Sequence, residues 1–187
     1  MMDANEYLSP EELDALGLRE RGRHVYVHRT AALFRPGNIR LGSYVRIDAH
    51  CILSARAPIT LGSRVHIGSS VNINAIAPVT VGDFSGISSG TKVFTTDDDY
   101  GGEYLTGPTV PAETSNIATE AVTIRDHCII GANSVILPGA VLEDGVAVGA
   151  LSLVKGVLEA WNIYGGVPAK PLRARSRELL KKVSQLD

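Results

Sequence analysis

The chain has 187 residues, 44% of them hydrophobic, and its 18 basic against 20 acidic residues leave a net charge of −2. That balance gives no sign of a nucleic-acid or membrane partner, and no apolar run approaches the length of a membrane-spanning helix. The length suits one domain, and with only three Phe and one Trp its core must be aliphatic.

Residues 1–8 read as irregular. Ser9-Pro10-Glu11-Glu12 is a helix start, with Ser9 as N-cap, Pro10 at the first helical position and Glu12 reaching back. This helix is expected to end near Gly17 and to pack over the open end of the domain's main body, hiding an unpaired strand edge. Residues 25–38 form an imperfect coil with Val27 and Leu33 in register.

From Leu41 the sequence repeats every 20 residues: Leu41, Leu61 and Val81 are followed by Gly42, Gly62 and Gly82. Ile47, Ile67 and Ile87 come six residues later, then Leu53, Ile73 and Val93, while Ile39, Ile59 and Val79 stand ahead of each turn. A six-residue period fits neither an amphipathic helix nor a long alternating strand. It fits a short strand and a corner, so three units make one triangular coil. The other inward positions hold small or β-branched residues, Val45, Cys51, Val65, Val71, Ser85 and Thr91. Large and small side chains together fill a narrow prism, coils about 4.8 Å apart pair as parallel strands, and several coils are needed to bury the apolar face. Cys51 and Cys128 fall at the small positions and read as inert core thiols. With no signal-peptide order in the first thirty residues, a cytoplasmic address is expected.

At 95–121 the period stops. The segment contains Asp97-Asp98-Asp99-Tyr100 and Gly101-Gly102, and a long loop thrown from a rigid scaffold is expected to carry function. The period resumes at Ile124, Ile130, Ile136, Leu142, Val148 and Val154, the last coil lacking the two-residue insert. The chain therefore divides into 1–24 with the capping helix, a coiled body over 25–160, and a C-terminal turn and helix over 161–187, the helix being expected at 174–183.

Units such as Ile67-Gly68-Ser69-Ser70-Val71-Asn72 and Ile130-Gly131-Ala132-Asn133-Ser134-Val135, followed by Gly149-Ala150-Leu151-Ser152 and Gly166-Val167-Pro168-Ala169-Lys170, resemble the hexapeptide-repeat acyltransferases. The nearest branch is that of the galactoside, maltose and serogroup-polysaccharide O-acetyltransferases. The resemblance implies an all-β, left-handed parallel β-helix that assembles as a homotrimer with active sites between subunits. It implies transfer of an acetyl group from acetyl-CoA to the hydroxyl or amine of a sugar, such as a surface-polysaccharide or nucleotide-sugar acceptor. The pantetheine arm of the donor would run beside Gly131, Ala132, Ala150 and Ser152, with Lys155, Lys170 and Arg173 toward the nucleotide phosphates. Small residues there also serve coil packing. Leu151 stands where the family often has glycine.

In that family the general base is a histidine in the projecting loop. The matching place here is Asp98, and none of the five histidines, His24, His28, His50, His66 and His127, lies in the loop. Aspartate, ionising near pH 3.9, accepts a proton poorly at neutral pH. Three routes remain: repulsion from Asp97 and Asp99 raises the proton affinity of Asp98 in a buried cleft; an amine acceptor needs less help; or His66 serves from the adjoining subunit. Asn72 matches an asparagine that positions substrate in the relatives. Asn74, Asp97, Tyr100 and Glu103 are the expected sugar contacts. Two further readings stay open. One is a non-catalytic trimeric scaffold that has lost the loop histidine, separable by whether coenzyme A binds. The other is a zinc enzyme like the gamma carbonic anhydrases, which Arg46-Ile47-Asp48 and His66 faintly resemble but which needs three converging histidines. Otherwise no metal is called for.

Overall fold

The computed structural model describes residues 6–186; the irregular start expected at 1–5 lies outside the described residues. The architecture is the expected all-β parallel β-helix, three sheets of seven, eight and six strands forming the faces of a prism. Register follows the repeat. On the first face Ile39 lies beside Ile59 and Ile59 beside Val79; on the second Ile47, Ile67 and Ile87 align; on the third Leu53, Ile73 and Val93. The coil that carries the long loop closes without slipping, Val81 beside Ile124 and Val93 beside Ile136.

Branched aliphatic side chains stack up the prism axis. Ile47, Ile67, Ile87 and Ile130 are at most 1% exposed, and each such burial contributes roughly 1.5–3 kcal/mol. Coil spacing is enforced by glycine at the first corner: a Cβ on Gly42 would lie 2.6 Å from the backbone of Gly62, and one on Gly82 would lie 2.6 Å from that of Arg125. Cys51 and Cys128 are buried and free, as expected; burial pushes the Cys128 thiol up to about 11.

Between the first and second faces the corner residue of each coil adopts left-handed backbone: His24, Tyr44, Arg64, Phe84, His127 and Trp161 have φ between 56 and 60°, and Gly145 has φ 68°. Left-handed conformation costs a non-glycine residue roughly 1–2 kcal/mol. Two interactions offset it. From Tyr44 onward each corner N–H donates to the coil before, as from Arg64 to Ser43 O at 2.7 Å and Phe84 to Ser63 O at 2.9 Å. The side chains also stack into a column: His24 on Tyr44 at 4.8 Å, Arg64 over Tyr44 at 4.6 Å and over Phe84 at 5.6 Å, Phe84 on His127 at 5.3 Å.

Both ends are closed. The helix Pro10–Ala15 carries the expected capping box and buries Leu13 against the core. At the far end the helix expected over 174–183 is shorter than the sequence suggests. The strand Asn162–Gly165 continues the second face, the chain reverses through Gly166 and a cis Val167–Pro168 bond, and Lys170–Ala174 returns as an antiparallel strand. Helix is confined to Leu180–Val183. The open edge of the last coil supplies backbone partners that outweigh local helix propensity. No helix among the described residues is long and apolar enough to cross a membrane.

Candidate active site

The loop is more ordered than its composition suggests. It leaves the third face after Phe94, which pairs with Asn74. The next residue, Thr95, is fully buried in the column otherwise held by Ala55 and Ala75. Its Oγ1 accepts from the Ile76 and Ala77 N–H groups at 2.8 and 3.1 Å and donates to Asn74 O at 3.0 Å. Thr96–Asp97 then pairs antiparallel with Ala118–Thr119, so the excursion is an arm on a two-stranded stem. At its tip Asp99 accepts from the N–H groups of Gly101, Glu103 and Tyr104 at 3.0, 2.8 and 3.0 Å. Those amides, led by Tyr104, hold its carboxylate below the usual aspartate range. Asp98 Oδ1 accepts from Gly107 N–H at 3.1 Å.

The arm folds back to enclose a cavity of about 470 Å³. Its lining is polar at Asn74, Thr96, Asp97, Asp98 and Tyr100 and apolar at Phe94, Pro108, Ile117, Val135 and Leu137. Of the expected sites, Asp98, Asp97, Asn74 and Tyr100 therefore meet. Asn72 does not line it, standing two residues before Asn74 on the strand Asn72–Ala75 and beside Lys92, and Glu103 is exposed at the arm's tip and does not line it either. The expected mutual repulsion among three aspartates is not the arrangement found: Asp99 turns into the arm's own backbone, leaving two carboxyl groups at the cavity. Phe94, Val135 and Leu137 escape a reading of the sequence because their sites are made by the arm covering them. Thr95 leaves one trace, a hydroxyl where the repeat has alanine.

His66 lies on the second face, away from the arm. Its Nε2 is 2.8 Å from Asp48 Oδ2, while Asp48 Oδ1 accepts from Arg46 Nε at 2.6 Å and from the Tyr7 hydroxyl at 3.1 Å. Burial alone would raise the Asp48 pKa, but the His66 and Arg46 hydrogen bonds outweigh it and lower it. Among the described residues no three His, Cys, Asp or Glu side chains converge as a metal site requires.

Toward the C-terminal coils, Gly131 and Ala132 sit on the corner between second and third faces, with Ala150 and Leu151 one coil further. Leu151 N–H donates to Ala132 O at 2.9 Å, and its side chain projects outward, 69% exposed. A Cβ on Gly131 would lie 2.3 Å from Ala150 N, so packing alone demands glycine there. Ser152 is buried; its hydroxyl donates to Gly149 O at 2.7 Å and accepts from Gly166 N–H at 3.2 Å. Lys155, Lys170 and Arg173 are exposed on this end.

A β-helix of six-residue units that throws out one long arm and carries small residues along a later corner is the architecture of a class of bacterial transferase. Residues 121–156 match the family model for the bacterial transferase hexapeptide of six repeats. The chain is 37% identical over 176 residues to the dTDP-4-amino-4,6-dideoxy-D-glucose acyltransferase of Escherichia coli, covering 94% of this chain and 92% of that one. It is 39% identical to AntD, an N-acyltransferase from Bacillus cereus crystallised with dTDP and 3-hydroxybutyryl-CoA, with a TM-score of 0.93 and coverage of 96% and 95%. The chain belongs to the hexapeptide-repeat transferases, in their sugar acyltransferase branch. It is an acyltransferase whose donor is an acyl-CoA and whose acceptor is a sugar.

Proposed function

We propose that this enzyme acylates the amine of a nucleotide-linked amino sugar, of the 4-amino-4,6-dideoxyglucose kind carried on dTDP, inside the cavity under the arm. The observation that carries this is the polar part of the cavity lining: two aspartates, an asparagine and no histidine. Carboxyl groups attract an ammonium, whereas an alcohol needs a stronger base than aspartate supplies. The apolar part of the lining, Phe94, Ile117, Val135 and Leu137, suits a deoxygenated methyl carbon and the acyl chain.

In this reading Asp98 takes one proton from the bound ammonium, and Asn74 and Tyr100 orient the sugar. The free amine attacks the thioester carbonyl; the carbon–nitrogen bond forms and the carbon–sulfur bond breaks. The proton left on nitrogen passes to the departing thiolate, giving coenzyme A. The pantetheine arm lies along the corner of Gly131, Ala132 and Ala150, with Lys155, Lys170 and Arg173 toward its phosphates. We assign Ser152 to holding that corner. A homotrimer, with donor seam and arm brought together from neighbouring subunits, and a cytoplasmic address, where acyl-CoA and nucleotide sugars are made, complete the reading. His66 is assigned to holding Asp48 and not to proton transfer.

The test is thiol release from acetyl-CoA and 3-hydroxybutyryl-CoA with dTDP-4-amino-4,6-dideoxyglucose or its 4-hydroxy counterpart. The amine should turn over and the alcohol should not; equal rates sink the proposal. Asp98→Asn should lower kcat/KM by about 10² or more, with His66→Ala close to wild type.

A further inference from the structure

A second cavity, of about 400 Å³, opens on the second face, where the short C-terminal helix Leu180–Val183 lies over the stacked corner. It is on a different face from the cavity under the arm. Arg64, Arg175 and Lys182 line it, and no aspartate or glutamate does. None of these three cations forms an ion pair among the described residues. Arg64 is sandwiched between the Tyr44 and Phe84 rings. Arg175 Nη1 donates only to carbonyls, those of His127, Gly145 and Val146 at 2.7, 3.0 and 3.4 Å. His127, also in the lining, has a buried Nδ1 with no hydrogen-bond partner.

The acids of the adjoining corner are otherwise engaged. Asp83, Asp126 and Asp144 accept from the backbone N–H groups of Ser63, Asp83 and Asp126 at 2.7, 2.8 and 3.2 Å. Three cations around one recess repel one another unless an anion sits among them, and guanidinium groups match phosphate oxygens in charge and geometry. Apolar flooring by Phe84, Ile129 and Leu179 gives room for more than a bare ion.

We propose that this recess is a binding site for an organic phosphate, a phosphate or diphosphate ester of nucleotide type. Arg64 and Lys182 contact the phosphate oxygens; Arg175 supplies fixed positive charge from behind. The same chemistry is presented by a nucleoside diphosphate, by coenzyme A and by free diphosphate, and the experiment separates them. Calorimetric titrations of dTDP, coenzyme A and pyrophosphate into the full chain are compared for wild type, Arg64→Gln and Lys182→Ala. The second variant changes an exposed side chain and keeps the test open if the first unfolds. The expected result is about tenfold weaker binding of at least one probe in each folded variant. Loss confined to dTDP assigns the recess to the acceptor nucleotide, loss confined to coenzyme A to the donor, and loss confined to pyrophosphate to a free effector. Isotherms unchanged for all three probes overturn the proposal. Asp98→Asn, which tests the acyl-transfer reading through turnover, should leave these isotherms alone, so the two ideas fail separately.

Discussion

Thr95→Val is the sharpest test of how the scaffold holds the arm. The two side chains have the same shape, so packing in the alanine column is kept while the hydroxyl is lost. Three hydrogen bonds go with it, from Ile76 N–H, from Ala77 N–H and to Asn74 O. The site is 0% exposed, and an unmet buried backbone group costs about 1–3 kcal/mol. Partial exposure of Ile76 and Ala77 lets water reach part of the turn, so a total near the low end, about 3 kcal/mol, is expected. For a chain of this size that lowers Tm by roughly 6–12 °C. Thr95→Ser keeps the hydroxyl and loses one buried methyl, about 1 kcal/mol. Scanning calorimetry gives both numbers, and thiol release should show a fall in kcat/KM for valine beyond that for serine, because Asn74 and the stem share this anchor. A valine variant melting no differently from wild type, or a serine variant as damaged as valine, would refute the reasoning.

Other consequences are simpler to check. Gly62→Ala puts a Cβ 2.3 Å from Asp83 Oδ1 and 3.1 Å from the Gly82 backbone; coils must part, and Tm should fall clearly, whereas Gly86→Ala, with nothing within 4 Å, should not move it. The Asp99 carboxylate, held below its ordinary value by arm amides, contributes order that is complete above about pH 4 and lost as pH falls through its lowered pKa. Protection of the Gly101, Glu103 and Tyr104 amides, measured as the exchange rate relative to that of a free amide at the same pH, should therefore fall only in acid, and in Asp99→Ala at every pH. Neither Cys51 nor Cys128 should react with a maleimide at neutral pH until the chain is unfolded in guanidinium, Cys128 least of all given a thiol near 11.

The coils are legible because their contacts recur at a fixed separation: Ile47 meets Ile67 for the same reason that Ile67 meets Ile87, and the periodicity of the residues is the periodicity of the packing. The arm obeys no such rule. Asp98 is found by its place relative to Val93, but that Asp99 turns inward depends on three amides at the arm's own tip. Phe94 and Leu137, walls of one cavity, stand on coils separated by the whole excursion. The terminal strand Lys170–Ala174 resembles the approach to a helix because its partner is a sheet edge that only the assembled prism presents.

That last strand also sets how long the molecule is. A stack of parallel coils is, in principle, a growing fibre, since its final rung offers the next chain the same template that it used itself. Lys170-Pro171-Leu172-Arg173-Ala174 runs the wrong way for an incoming parallel rung, withholds a donor at Pro171 and places two charges on the rim. Chains cut before Lys170 would expose that template, and light scattering would register end-to-end polymers in place of discrete particles.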